Sequence, residues 1–179
     1  MKFKSLNISG VYKIIPKKLK DTRGFFLRNI CEKILKKNKI NFNVKQCNLS
    51  FNKKKFTFRG FHYSTNKHQE NKILCVVNGK IENHIIDLRK NSKTFLKKTK
   101  VILDSKNNNL IYIPSGCANG FLTLENDTLV HYYMDNFFSE NSKVYKGFRF
   151  DDPLFTIKFR KQPLIISKKD KEYKNITLY

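Results

Sequence analysis

The chain has 179 residues and a mass of 21.2 kDa, a length that suits one domain, residues 1–179, with a real hydrophobic core. Its 37 Lys and Arg against 14 Asp and Glu give a formal charge of +23. The opening "MKFKSLNISG" has no apolar run, and no stretch approaches the roughly 20 apolar residues of a spanning helix, so the expectation is a cytoplasmic protein without leader or membrane helix.

The cysteines Cys31, Cys47, Cys75 and Cys117 are unevenly spaced and form no C-x-x-C pair, which disfavours a zinc or redox motif and fits reduced, buried thiols. The charge has two readings. One is a polyanionic partner, such as nucleic acid, a membrane surface or a phosphorylated ligand. The other is compositional, because Lys and Asn crowd together along the whole chain ("KKNKINFNVK", "SKNNN", "KKDKEYKN") and form no single arm.

In chain order, "GVYKIIP" (10–16) predicts a first strand. "RNICEKILKKNKI" (28–40) predicts a helix, with Ile30, Cys31, Ile34 and Leu35 as its apolar stripe. "VKQCNLS" (44–50) alternates: Gln46, Asn48 and Ser50 lie on one face, Cys47, Leu49 and Phe51 on the other, the latter expected in the core. A strand over 55–64 follows, and then "KILCVVNGKIENHIIDLR" (72–89), where Asn78-Gly79 predicts a type I′ hairpin. Its first arm is apolar on both faces, which suggests cover from a helix or a second subunit. Further strands are expected over 99–104, 109–114, 121–124, 128–134 and 155–159, and a short helix over 167–176 opened by a Ser N-cap. Many short strands argue for a sandwich or barrel.

Certain polar residues sit oddly in this pattern. Gln46, Asn48 and Ser50 line up three uncharged hydrogen-bonding groups in register, either a solvent face or the wall of a pocket. His62, in "RGFHYS" (59–64), has Gly60 beside it, where a ligand or another backbone can approach; the plainer alternative is a core histidine. Lys72 begins a strand otherwise read as buried. Tyr132 lies in the aromatic run "VHYYMDNFF", where most tyrosines are core. Asp152 precedes a proline, a common turn initiator.

Taken in order, the pieces resemble the nucleotide-sugar epimerases typified by dTDP-4-dehydrorhamnose 3,5-epimerase. "DTRGFFL" (21–27) is similar to D-x-R-G-F-F, "QCNLS" (46–50) to Q-D-N-x-S, and "RGFHYS" to R-G-L-H-[FY]-Q. The stretches 72–95, "IYIPSGCANGFLTL" (111–124), "YYMDNFFS" (132–139), "FDDPLFTIKF" (150–159) and "ISKKDK" (166–171) follow the remaining family segments. The resemblance implies an all-β, cupin-like jelly-roll β-barrel with a few short helices, working as a homodimer without metal or organic cofactor. It implies that a nucleotide-diphosphate sugar with a 4-keto group is inverted at C3, C5 or both through an enolate. It casts His62 as base, Asp152 as its carboxylate partner, Lys72 as the enolate cation and Tyr132 as the acid. It casts Arg23 and Arg59 as diphosphate and sugar contacts. Gln46 and Asn48 become the pyrimidine- and sugar-facing pair, and Phe137 falls near the stacking aromatic.

Three positions depart from the family pattern: Asn119 stands for a pocket histidine, Asn83 for an acid and Arg28 for a glutamate. Asn119 keeps hydrogen-bonding ability but carries no proton. These changes favour a specialised relative, such as a C3-only epimerase or one using another nucleotide sugar. Rival readings are a 3,4-ketoisomerase on the same fold, a non-catalytic ligand-binding relative, and a basic nucleic-acid-binding barrel with steeply salt-dependent affinity. A metal-dependent cupin is disfavoured, because His62, His68, His84 and His131 contain no H-x-H pair.

Overall fold

The structure, a computed structural model, describes residues 1–65, 68–138 and 144–178. The elements in chain order are β1 (Lys2–Ser5), β2 (Tyr12–Ile15), β3 (Lys18–Asp21), β4 (Gly24–Leu27), α1 (Glu32–Lys37), β5 (Gln46–Asn52), β6 (Thr57–Ser64), β7 (Lys72–Asn78) and β8 (Lys80–Asp87). They continue as β9 (Lys98–Asp104), β10 (Leu110–Ile113), β11 (Cys117–Thr123), β12 (Thr128–Met134), β13 (Tyr145–Gly147), β14 (Ile165–Ile166) and α2 (Lys168–Glu172).

Two antiparallel sheets face each other. One runs β1-β2-β10-β7-β12-β5 and the other β13-β6-β11-β8-β9, with β14 added parallel to β6. Strands alternate side chains between faces, so each sheet sends half its residues inward. Leu74, Val76, Ile111, Ile113 and Val130 from the first sheet meet Ile81, Ile85, Leu103 and Phe121 from the second. The outer face of the first sheet packs Ile73, Cys75 and Leu110 under Leu35, Ile40 and Phe42. That explains why β7 is apolar on both sides: one face looks into the sandwich and the other is roofed by the α1 region. The outer face of the second sheet is sealed by Phe148 and Phe155 over Phe61, Ile86 and Leu122.

Sequence and structure differ at several places: β1, β3, β4, β13 and β14 have no counterpart among the expected strands, and of the thiols expected buried Cys47 is exposed and Cys31 half-buried. The 72–89 stretch is not a paired hairpin. Gly79 (φ +82°) turns the chain, but β7 joins β10 and β12 while β8 joins β11 and β9, so the turn is a corner between sheets. Residues 155–159 run outside any ladder, held by side-chain packing. The expected early helix is shorter than 28–40 and has Cys31, which makes no side-chain cap, at its N-cap. Finally, β5 is turned opposite to expectation. Leu49 and Phe51 are 66 % and 57 % exposed, and the polar face is the more buried one. Strand β5 is also an edge of its sheet. The loop between β3 and β4 reverses at Gly24 (φ +133°), forming a hairpin that stands apart from both sheets.

Candidate active site

A cavity of about 430 Å³ opens between the sheets, lined among others by Arg59 and His62 of β6, Lys72 of β7, Asn119 of β11, Tyr132 of β12 and Asp170 of α2. The fold puts them there by register. On β6, Gly60 (φ +130°) lets the strand approach β11 so closely that a Cβ at 60 would lie 2.5 Å from Gly120 Cα. His62 is thereby paired opposite Asn119. Across the cavity β12 sets Tyr132 against Leu74 and Met134 against Lys72.

His62 Nε2 lies 2.7 Å from Asp170 Oδ1. Asp170 is in the first turn of α2, where its backbone N–H donates to the Oγ of the N-cap Ser167 at 3.1 Å. Its other oxygen accepts from the Gly60 N–H at 3.4 Å. Burial pushes the Asp170 carboxyl up, but the His62 hydrogen bond and the Gly60 N–H outweigh it, and the net displacement is below the usual carboxylate range. An ionised Asp170 accepting from Nε2–H leaves the Nδ1 lone pair as the basic atom of the ring.

This corrects the expected pairing of His62 with Asp152. Asp152 is buried, at 2 % exposure, and both its oxygens are occupied by backbone: Oδ1 accepts from Leu154 N at 2.9 Å and Oδ2 from Ile176 N at 2.6 Å. The carboxylate closes the Asp-Pro turn and ties down the C-terminal segment, which leaves it nothing to offer an imidazole. Asp170 was within the quoted "ISKKDK" match, and the Ser-x-x-Asp spacing marked it as a helix-start residue.

Lys72 is almost buried and has a defined partner set. Its Nζ donates to Glu70 Oε1 at 3.0 Å and to the Tyr145 hydroxyl at 3.2 Å. Burial opposes the charge, but Tyr145 and Glu70 more than offset it, and the ammonium is held above its ordinary range. Glu70 is in turn bonded by the Ser64 hydroxyl. The Tyr132 hydroxyl is pushed up by burial, so it stays protonated at neutral pH. Arg59 is fixed by Asn52 Oδ1 at 2.7 Å and Phe51 O at 3.3 Å, and Lys169 adds a third cation to the cavity wall beside Lys72 and Arg59.

The other expected residues fall beside the cavity or away from it. Of the polar face of β5, Ser50 lines the cavity. Gln46 and Asn48 are bonded to each other at 2.9 Å, and Gln46 Oε1 accepts from Phe138 N at 2.9 Å, so they brace the wall. Phe138 lines the cavity; Phe137 is 63 % exposed under the Lys45 ammonium. Arg23 is on the β3–β4 turn, exposed and paired with Asp21 at 2.6 Å, and is not part of this cavity. Asn119 Nδ2 donates to Asn83 Oδ1 at 2.9 Å, so two of the three family departures are one contact: a neutral amide pair where the pattern has an acid and a histidine.

A second cleft, about 490 Å³, lies by β8, β9 and residues 156–158. Its lysines 98 and 100 are used on the carbonyls of residues 155, 156 and 158, and its lining includes none of His62, Lys72, Tyr132 and Asp170. Among the described residues no group of three His, Cys, Asp or Glu is placed to share a metal ion.

Comparison with solved structures gives the class. The crystal structure of dTDP-4-dehydrorhamnose 3,5-epimerase from Bacillus anthracis, with TDP and PPi bound, superposes with a TM-score of 0.93 at 30 % identity over 98 % of this chain and 99 % of that one. The Legionella pneumophila dTDP-6-deoxy-D-glucose-3,5-epimerase, in complex with dTDP-4-keto-L-rhamnose, superposes at 0.89 with 26 % identity, covering 97 % and 92 %. The protein is thus of the cupin-like nucleotide-sugar epimerase class, an isomerase.

The family model for dTDP-4-dehydrorhamnose 3,5-epimerase matches residues 5–177, and the enzyme of that name from Methanothermobacter thermautotrophicus is 32 % identical over 176 residues, covering 97 % of this chain and 93 % of that protein. The chain belongs to the dTDP-4-dehydrorhamnose 3,5-epimerase family.

Proposed function

We propose that this cavity epimerises a dTDP-linked 4-keto-6-deoxy hexose, with His62 as base, Asp170 holding its tautomer, Lys72 stabilising the enolate and Tyr132 as acid. The observation that carries the reading is the 2.7 Å His62–Asp170 contact in a cavity shared with Lys72 and Tyr132. Protons at C3 and C5 are acidified by the C4 ketone between them. His62 Nδ1 takes one, and the resulting imidazolium is stabilised by the Asp170 carboxylate. The C–H electron pair forms the enolate, whose oxygen meets the ammonium of Lys72, a side chain that is itself nearly buried. Tyr132, on the opposite sheet, returns a proton to the other face of the carbon. Arg59 and Lys169 supply positive charge for the diphosphate, and Phe138 offers a ring for the base.

The working unit in this proposal is one cytoplasmic domain per chain, paired as a homodimer. Leu19, Phe25 and Phe26 on the β3–β4 hairpin are 54 %, 52 % and 62 % exposed, and Leu49 and Phe51 are bare on the β5 edge. A dimer that lays the hairpin against its partner's β5 covers both apolar surfaces. Because β5 also walls the cavity, this arrangement delivers Arg23, and Arg28 just beyond β4, to the partner's substrate.

The test is product identity. Incubation with dTDP-4-keto-6-deoxy-glucose, followed by NMR, should yield the C3- and C5-inverted sugar. A product inverted at C3 alone would narrow the reading to a monoepimerase, the outcome the Asn83–Asn119 pair would then explain; a product with its carbonyl moved to C3 would replace the proposal with a ketoisomerase.

A further inference from the structure

Tyr145 has no part in the roles assigned above, yet it stands in the same cavity as His62 and Lys72. It comes from β13, which pairs with β6 and sets Tyr145 opposite Ser64. Its ring is locked, edge-on to Phe138 at 4.8 Å, 5.7 Å from the His62 ring, with Lys72 Nζ 5.2 Å from its centroid. Its hydroxyl oxygen accepts from Lys72 Nζ at 3.2 Å. Among the described residues that hydroxyl has no acceptor for its own proton.

The proton count at Lys72 makes this informative. An ammonium has three N–H donors. One goes to Glu70 and one to Tyr145, which leaves one for the cavity. The Tyr145 O–H is a second unspent donor beside it, and accepting from a cation polarises that O–H into a stronger donor. Two convergent donors next to the base are what a developing oxyanion needs.

We propose that Tyr145 is a catalytic residue whose hydroxyl donates, together with Lys72, to the C4 oxygen of the substrate as it becomes an enolate. The proposal rests on the function proposed above. As His62 Nδ1 takes the proton, the C–H electron pair becomes the new C–C π bond and the carbonyl π pair moves onto oxygen. Lys72 and Tyr145 keep their protons and share them with that oxygen by hydrogen bonding. The enolates formed from C3 and from C5 place their charge on the same atom, so the hydroxyl serves both centres equally.

This last point gives the test. Tyr145→Phe keeps the ring and its packing and deletes only the donor. In D₂O with dTDP-4-keto-6-deoxy-glucose, deuterium entry at C3 and C5 should slow by the same factor, about 10²-fold, as for loss of one oxyanion donor. The loss should fall on kcat, with KM and dTDP affinity within about threefold of wild type. Equal rates in variant and wild type would overturn the proposal. So would slowing at one carbon alone, which would make Tyr145 a proton donor for that centre, or a loss confined to KM or accompanied by lost dTDP binding, which would make it a structural residue. If the wild-type chain itself exchanges no deuterium, the proposed function fails first; if it exchanges and Tyr145→Phe matches it, only the role of Tyr145 fails.

Discussion

At the scale of single residues, the two aspartates 152 and 170 separate chemistry from architecture. Both are buried carboxylates in the C-terminal third of the chain, and what distinguishes them is the donor each faces. Asp170 faces an imidazole; Asp152 faces two peptide N–H groups. Asp170→Asn should therefore lower kcat by about 10²-fold or more while leaving the thermal midpoint nearly unchanged, since the amide oxygen keeps the Gly60 N–H and the amide NH₂ can donate to Nε2 of the other imidazole tautomer, but an amide no longer stabilises an imidazolium. Asp152→Asn should do the reverse: it should keep kcat and lose about 1–2 kcal/mol of stability, because an amide nitrogen meets one of the two N–H donors. Parallel kinetics and melting curves of the two variants check this. The site was legible in the sequence as far as residue type and order could carry it. His62, Lys72 and Tyr132 stand out as polar groups in apolar strands, but only the family resemblance gives them roles. Asp170 was hidden because sequence order does not say which of two carboxylates folds back to β6. That is decided by the Ser167 cap, which swings the first turn of α2 beneath Gly60.

At the scale of elements, the strands themselves were readable from alternation, but their partners were not. Asn78-Gly79 is a sound turn signal, and the chain does turn there. Yet a local signal cannot tell a hairpin from a corner, because pairing is set by what the other strands offer. Here both flanking strands are buried at most positions, and each finds neighbours in a different sheet. The end of β8 shows a second device invisible to periodicity. Asp87, fully buried, accepts from Arg89 at 2.8 and 2.9 Å, from Ser92 at 2.6 Å and from Thr94 at 2.7 Å. Burial pushes its carboxyl up, but these donors dominate and hold it down at about 2. A depressed folded-state value means the clasp stabilises the fold above the ordinary carboxylate range, near 3.9, and that this contribution is lost as pH falls through about 2. Between pH 5 and pH 2 the melting temperature of wild type should fall more steeply than that of Asp87→Asn, a variant that should be less stable at neutral pH by about 3 kcal/mol. Parallel slopes for the two proteins would show that Asp87 is not the group being titrated.

At the scale of the whole molecule, the surprise lies in β5. Alternation along β5 is plain in the sequence, but the stripe of Cys47, Leu49 and Phe51 that reads as core lies exposed. Leu49 and Phe51 are largely exposed, and the polar face is the more buried one. An exposed apolar edge strand is a liability in a monomer. The equally bare β3–β4 hairpin is its counterpart in the proposed homodimer. Sedimentation should give a mass of two 21.2 kDa chains. Phe26→Asp should shift the protein toward monomer and reduce activity with it, since Arg23 then no longer reaches a partner; a fully active monomer would refute that arrangement. The +23 charge is spread along the chain with no single basic arm, and among the described residues the cavity lining includes Arg59, Lys72 and Lys169. The proposed reaction turns on one event, the removal of a proton from carbon by His62. The most direct measurement is the rate of solvent deuterium entry beside the ketone of dTDP-4-keto-6-deoxy-glucose, in wild type and in His62→Ala. The account predicts rapid entry with wild type and loss of at least about 10²-fold with His62→Ala, the contribution expected of a positioned base. Undiminished exchange in His62→Ala would contradict it.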